Sequence, residues 1–159
     1  MRIKHPALCA AVLLATLPFL ALSTEIQSRK TQSQAKPDGI QWIYNLDKGL
    51  EKAKDEHMML MVEFMASWCP SCKEMEKKTF SDSKVKAKVS AFVPVRIDID
   101  QQREVAEKHN ALAQKYGGIG IPNFLFMTLD GTKIKHIVGY QSPKEFLATL
   151  DSVLALARD

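Results

Sequence analysis

The sequence predicts an α/β domain in which a central mixed β-sheet is flanked by helices. Three observations carry that expectation. Met58 to Met65 is an apolar run of strand length broken by one carboxylate, Glu63, the pattern of a strand covered on both faces. Strand and helix patterns then alternate through Tyr116, the order that builds parallel crossover units. A hairpin signal at Asp130-Gly131 and a capped final helix follow, so an antiparallel pair joins the parallel one.

At 159 residues the chain has the size of one domain, and 46% apolar with 25% charged residues is an ordinary soluble composition. Arg2 and Lys4 precede an apolar run from Ala7 to Leu22, which ends in the small residues around Ser23. That order reads as an export signal over residues 1–23. If retained, the segment would instead anchor the protein to a membrane, although it is short for a span and Pro18 interrupts it. Without it the chain carries 20 basic and 18 acidic residues, a charge of +2 that argues against a nucleic-acid partner. Cys9 leaves with the signal, so Cys69 and Cys72 are the only remaining pair. That favours a working dithiol over a structural disulfide framework.

Residues 24–38 are polar and aperiodic and read as a flexible leader, so the domain is expected over 39–159. Ile40, Trp42 and Tyr44 alternate and predict a short first strand. Leu46, Leu50 and Ala53 recur at helical spacing, so a helix starts at Asn45 or Asp47 and ends near Glu56, with Gly49 as an internal weakness. The Met58–Met65 strand follows, and a helix is expected from Cys69 to about Phe80, with Pro70 at its first position and Lys77 and Lys78 in its last turn. Ser81 to Ser90 predicts another short helix with Val85 and Val89 one turn apart. Phe92 to Ile99 is a strand in which Pro94 belongs near the beginning. Gln101 to Tyr116 is a helix with Val105, Ala106, Leu112 and Ala113 inward. The glycines at 117, 118 and 120 end it. No Lys-Ser/Thr follows them and a strand comes next, so they are not read as a phosphate loop. Phe124–Leu129 and Lys133–Val138 make the hairpin, with Lys133 and Lys135 guarding an exposed edge. Ser142-Pro143-Lys144-Glu145 caps a helix that turns Phe146, Leu147, Leu150, Val153 and Leu154 inward.

The chemistry concentrates at Trp68-Cys69-Pro70-Ser71-Cys72. Two cysteines with two residues between them, at a strand-to-helix junction, read as a redox motif. Cys69 at the helix start would have its thiolate stabilised by unpaired N–H groups, making it the nucleophile. Cys72, one turn inward, would be the resolving thiol. A carboxylate near Cys72 could accept its proton, with Glu63 the first candidate and Glu76 the second. The competing readings are a Glu63 that escapes to solvent at the strand's end and a Glu76 on a solvated helix face. Half a zinc site is the rival for the cysteines, but no second cysteine pair exists. His57, His109 and His136 read as scattered single residues. Copper delivery by the dithiol is a further alternative. No metal is expected, and no flavin or nicotinamide fingerprint is present, so no cofactor is expected beyond the Cys69–Cys72 pair.

Trp68-Cys69-x-x-Cys72-Lys73 and Tyr116-Gly117-x-x-Gly120-Ile121-Pro122, in that order and followed by the hairpin and helix, resemble the thioredoxin family over roughly residues 40–157. Glu63-Phe64-x-Ala66-x-Trp68-Cys69 and Lys73-Glu74-x-Glu76 look closest to the C-terminal periplasmic domain of the disulfide-reductant transporter DsbD. Ile121 departs from that branch, which usually has Thr there, and the transporter's membrane portion has no counterpart in the sequence, so a free-standing relative is expected. The resemblance implies a thioredoxin fold, a cis peptide before Pro122, and a substrate surface comprising Trp68, Pro70, Ile121 and Pro122. From the sequence alone a trans proline is the default.

The function expected is that of a monomeric, extracytoplasmic or periplasmic thiol–disulfide oxidoreductase that reduces protein disulfides. Its electrons would come from a membrane thiol donor of the DsbD or CcdA kind. An oxidase or isomerase of the same fold, or a copper-binding or adaptor module, is the alternative.

Overall fold

A computed structural model describes residues 39–116 and 120–156, with the backbone alone over 111–116. The expected signal and leader (1–38), the glycines at 117 and 118, and the inward side chains of Leu112 and Ala113 lie outside the described residues.

Met59–Met65 (β1) is central in a four-stranded sheet of order β2-β1-β3-β4. It runs parallel to Phe92–Asp98 (β2) and antiparallel to Asn123–Met127 (β3), which pairs antiparallel with Lys133–Val138 (β4). Alternation along β1 sends Leu60, Val62 and Phe64 to one face and Met61 to the other. The first face is covered by Leu46–Glu56 (α1) and Arg103–Tyr116 (α4) through Leu46, Leu50, Ala53 and Val105. The second is covered by Pro70–Glu74 (α2) with its π-helical continuation Met75–Thr79, by Ser83–Val89 (α3) and by Pro143–Leu156 (α5). Met75, Phe80, Val85, Phe124, Phe126 and Phe146 fill that second layer. The expected mixed sheet between helices, a thioredoxin-like fold, is therefore what the chain adopts.

Short-range chemistry explains the helix ends. Asn45 Oδ1 accepts from Lys48 N–H at 2.9 Å to start α1, and His57 in the left-handed region (φ 54°) closes it. Asp82 caps α3 by accepting from Lys84 and Val85. Ser142 and Glu145 exchange bonds as a capping box, the Ser142 N–H donating to Glu145 Oε2 at 2.8 Å.

The alternating segment Ile40–Tyr44 does not form the expected strand. Only Ile43 joins the sheet, its N–H donating to Pro94 O at 2.9 Å and its carbonyl accepting from Arg96 N–H at 2.8 Å. Pro94 is the reason. The N and O of one strand residue face the same side, and Pro94 turns its missing donor toward this outer edge, so a longer ladder would lack a bond there. The same orientation leaves pairing with β1 undisturbed.

Gly49 is not a mere helix weakness. It is buried where α1 crosses β2, and a Cβ there would overlap the Val95 methyl Cγ2. Gly49→Ala gains about 1 kcal/mol in helix propensity but meets an overpacking cost of about 1–3 kcal/mol. Urea denaturation should therefore show a net loss of stability; a gain would mean that α1 can lift from the sheet without penalty.

Candidate active site

β1 ends at Met65, and a tight turn delivers the cysteines, with Cys69 N–H donating to Ala66 O at 3.1 Å. Cys69 is extended (φ −71°, ψ 115°) and caps α2: its sulfur accepts from Cys72 N–H at 3.1 Å and its carbonyl from Lys73 N–H at 3.2 Å. Pro70 takes the first helical position, where no intrahelical N–H is lost. Cys69 and Cys72 form a disulfide with their Cα atoms 5.3 Å apart. The sulfur of Cys69 thus lies at the electropositive start of a helix, which favours a thiolate once the bond is reduced. In this disulfide-bonded form Cys69 is only 3% exposed and Cys72 4%. Met65, Ile99 and Ile121 pack against the pair.

Glu63 does not escape to solvent. It is 1% exposed on the α2 side of β1, directly across from Arg96 in the parallel register. Arg96 Nε donates to Glu63 Oε2 at 2.7 Å, and its NH2 group donates to Glu76 Oε2 at 2.8 Å. The guanidinium lies 4.0 Å over the Trp42 ring, so the segment that failed to extend the sheet instead roofs this cation. Burial raises the Glu63 carboxyl to about 7 and outweighs the pull of Arg96 in the other direction; the Glu76 charge adds a smaller upward push. Burial opposes the Arg96 charge, yet the two carboxylates together hold its pKa above the ordinary value. Glu76 itself remains largely exposed and reaches Arg96 from the surface.

Trp68 is 60% exposed beside the cysteines, and its indole N–H donates to Asp100 Oδ2 at 2.7 Å. The Ile121–Pro122 peptide is cis, and Pro122 O accepts from Gly139 N–H at 2.8 Å. Gly139 has φ +91°, a conformation that other residues rarely adopt. A cleft of about 260 Å³ runs between Trp68, Ile99 and Ile121, with His109 and Asn123 also in its lining.

A model of the thioredoxin-like domain family matches residues 46–154. The chain belongs to that family. Among named relatives, the thiol:disulfide interchange protein DsbD of Tatumella citrea is 32% identical over 128 residues, covering 79% of this chain and 21% of that protein. DsbD of Colwellia psychrerythraea is 34% identical over 114 residues, covering 70% and 18%. The chain thus spans about a fifth of the length of these relatives. The solution structure of a thioredoxin from Thermus thermophilus superposes with a TM-score of 0.59 at 27% identity, covering 73% of this chain and 88% of that one. The oxidised C-terminal domain of Neisseria meningitidis DsbD gives 0.54 at 27% identity, covering 67% and 91%. With the Cys69–Cys72 disulfide in place, this is a thioredoxin-like domain similar to the C-terminal domain of DsbD.

In this thioredoxin-like domain the structure brings together residues that the sequence reading did not connect. Arg96 breaks the apolar pattern of β2 as Glu63 breaks that of β1, and two opposite charges in neighbouring buried strands are a pairing signal. Asp100 carried no such mark. His109 and His136, expected as unrelated singles, both reach Asn123 Oδ1, whereas His57 is exposed at the end of α1. Among the described residues no group of three or more His, Cys, Asp or Glu side chains could hold a metal, and no helix is long and apolar enough to cross a membrane.

The Glu63 carboxyl makes a signed stability prediction. Its folded value of about 7 lies above the ordinary 4.5, so its contribution favours folding below about 4.5 and is lost as pH rises through about 7. Urea unfolding from pH 4 to pH 8 should show Glu63→Gln removing a decline of about 3 kcal/mol. An unaltered profile in the variant would mean that Arg96 keeps the carboxylate ionised throughout.

Proposed function

We propose that this domain is an exported reductase of protein disulfides, working by dithiol–disulfide exchange. The observation that carries the reading is the Cys69 sulfur at the N-cap of α2, bonded to Cys72 and receiving its N–H. In the reduced protein the Cys69 thiolate attacks one sulfur of a substrate disulfide. That S–S bond breaks, a Cys69–substrate bond forms, and the departing substrate sulfur leaves as a thiolate that takes up a proton. Cys72 then loses its proton and attacks Cys69, forming the Cys69–Cys72 disulfide and releasing the second substrate thiol. Two electrons have passed from the protein to the substrate.

Cys72 is buried, so its proton needs a nearby acceptor. A carboxyl poised near neutrality serves best, and Glu63 is the residue so placed on the side covered by the cysteine helix. Glu76 is the second candidate acceptor, reaching the same Arg96 from the solvent side. Trp68 and Pro70 flank Cys69 in the chain and Ile121 packs against the cysteines; these residues, with Pro122 after Ile121, are assigned the substrate surface. An extended segment would pair with the Ile121 backbone. The basic, apolar, small-residue order of 1–23 supports an extracytoplasmic or periplasmic location. The DsbD relatives support a membrane thiol as the donor that restores the dithiol.

Reduction of insulin disulfides should be abolished by Cys69→Ser, while Cys72→Ser should accumulate mixed disulfides whose partners identify the substrates. The reduction potential is expected toward the thioredoxin value of about −270 mV; a value near about −120 mV would make the protein an oxidant. Glu63→Gln should slow resolution of the mixed disulfide by about 10²-fold and remove a rise in rate through about pH 7. Retention of that rise in the variant would transfer the role to another group.

A further inference from the structure

Directly after the cis peptide, one side-chain oxygen ties three elements together. Asn123 opens β3 and is 1% exposed. Its Oδ1 lies 3.0 Å from His109 Nε2 on α4 and 2.9 Å from His136 Nε2 on β4. An amide oxygen has no proton to give, so both imidazoles donate Nε2–H to it. The His109 ring lies flat on Phe64 of β1, with 3.8 Å between centroids and 11° between planes, and this fixes the plane in which its N–H lies. Asn123 Nδ2 has no hydrogen-bond partner among the described residues.

A buried amide satisfied, among the described residues, at one end only is a poor choice for stability, since an apolar side chain of similar size would leave nothing unpaired. Packing alone therefore does not account for Asn123. Its location does. Pro122 immediately precedes it, the Pro122 carbonyl is held by Gly139 N–H, and Asn123, His109 and Ile121 line the same cleft beside Trp68.

We propose that His109 and His136 clamp Asn123 and thereby position the Ile121–Pro122 segment to receive an extended protein substrate. The proposal rests on the reading above that substrates dock along Ile121. The clamp touches neither sulfur, so it serves polypeptide substrates and not disulfides small enough to reach Cys69 without pairing to the backbone.

The test mixes pre-reduced protein in single turnovers with insulin and, separately, with cystamine. His136→Leu removes one donor and should slow insulin by about tenfold while leaving cystamine within about twofold. His136→Gln keeps an N–H at similar reach and should restore most of the insulin rate. Equal losses on both substrates, no loss on either, or a Gln variant as slow as the Leu variant would each overturn the clamp. Hydrogen exchange at the Ile121 amide in a peptide mixed disulfide trapped with Cys72→Ser separates this proposal from its premise. No protection in the Cys72→Ser parent removes the docking reading itself. Protection that is equal in the parent and in the Cys72→Ser, His136→Leu double variant removes the clamp alone, whereas protection lost only in the double variant supports it.

Discussion

A carboxylate in a strand covered on both faces must find a cation or keep a proton. Glu63 does both in part. Arg96, its neighbour in the parallel register, supplies the cation and a hydrogen bond, yet burial still holds the carboxyl near neutrality. Much of the surrounding arrangement answers to that constraint. Arg96 needs cover and a second partner, which Trp42 and Glu76 provide. Trp42 is available because Pro94 stops its segment from joining the sheet beyond Ile43. Removing one partner of such a buried pair costs more than the pair contributes, because the remaining charge is left without compensation.

One end of the sheet gathers the remaining parts. The C-terminal end of β1 leads into the cysteine turn, and the parallel end of β2 leads to Asp100, which holds the Trp68 indole. β3 runs the other way, so its first residue, Asn123, pairs with Phe64 at that same end and brings Pro122 and Ile121 there. Three segments far apart in the chain therefore meet around one disulfide because of strand direction alone. The helix start places partial positive charge at Cys69, and the buried carboxyl lies on the side that the same helix covers. The electropositive helix start at Cys69 and the buried carboxyl of Glu63 are thus two separate features of a single strand-to-helix connection.

The nearly covered state of Cys69 fits the oxidised form described here. Its sulfur is bonded inward and walled by Ile99 and Ile121, which also line the cleft beside Trp68. Ile99 and Ile121 therefore border both the disulfide and that cleft. The exposed indole of Trp68, fixed by Asp100, supplies a rigid apolar wall on the open side.

The sequence by itself determined what local chemistry dictates. The central strand, the cysteine helix with Pro70 at its start, the Ser142 capping box, the inward faces of α3 and α5, and the identity of the dithiol all follow from residue spacing. The family resemblance anticipated the cis bond before Pro122, which spacing alone would have left trans. Long-range register decided the rest. Whether Glu63 reached water or stayed buried depended on Arg96, 33 positions later, falling opposite it in β2. Ile40–Tyr44 had the alternation of a strand but met an edge whose donor Pro94 had removed. Gly49 read as a flaw in a helix until Val95 stood against it. Asn123, His109 and His136 carried no common motif, because α4, β3 and β4 become neighbours only when the sheet closes. Spacing along a chain reports the interactions of one turn or one strand; pairings between elements follow from strand order and direction, and only the folded sheet sets those.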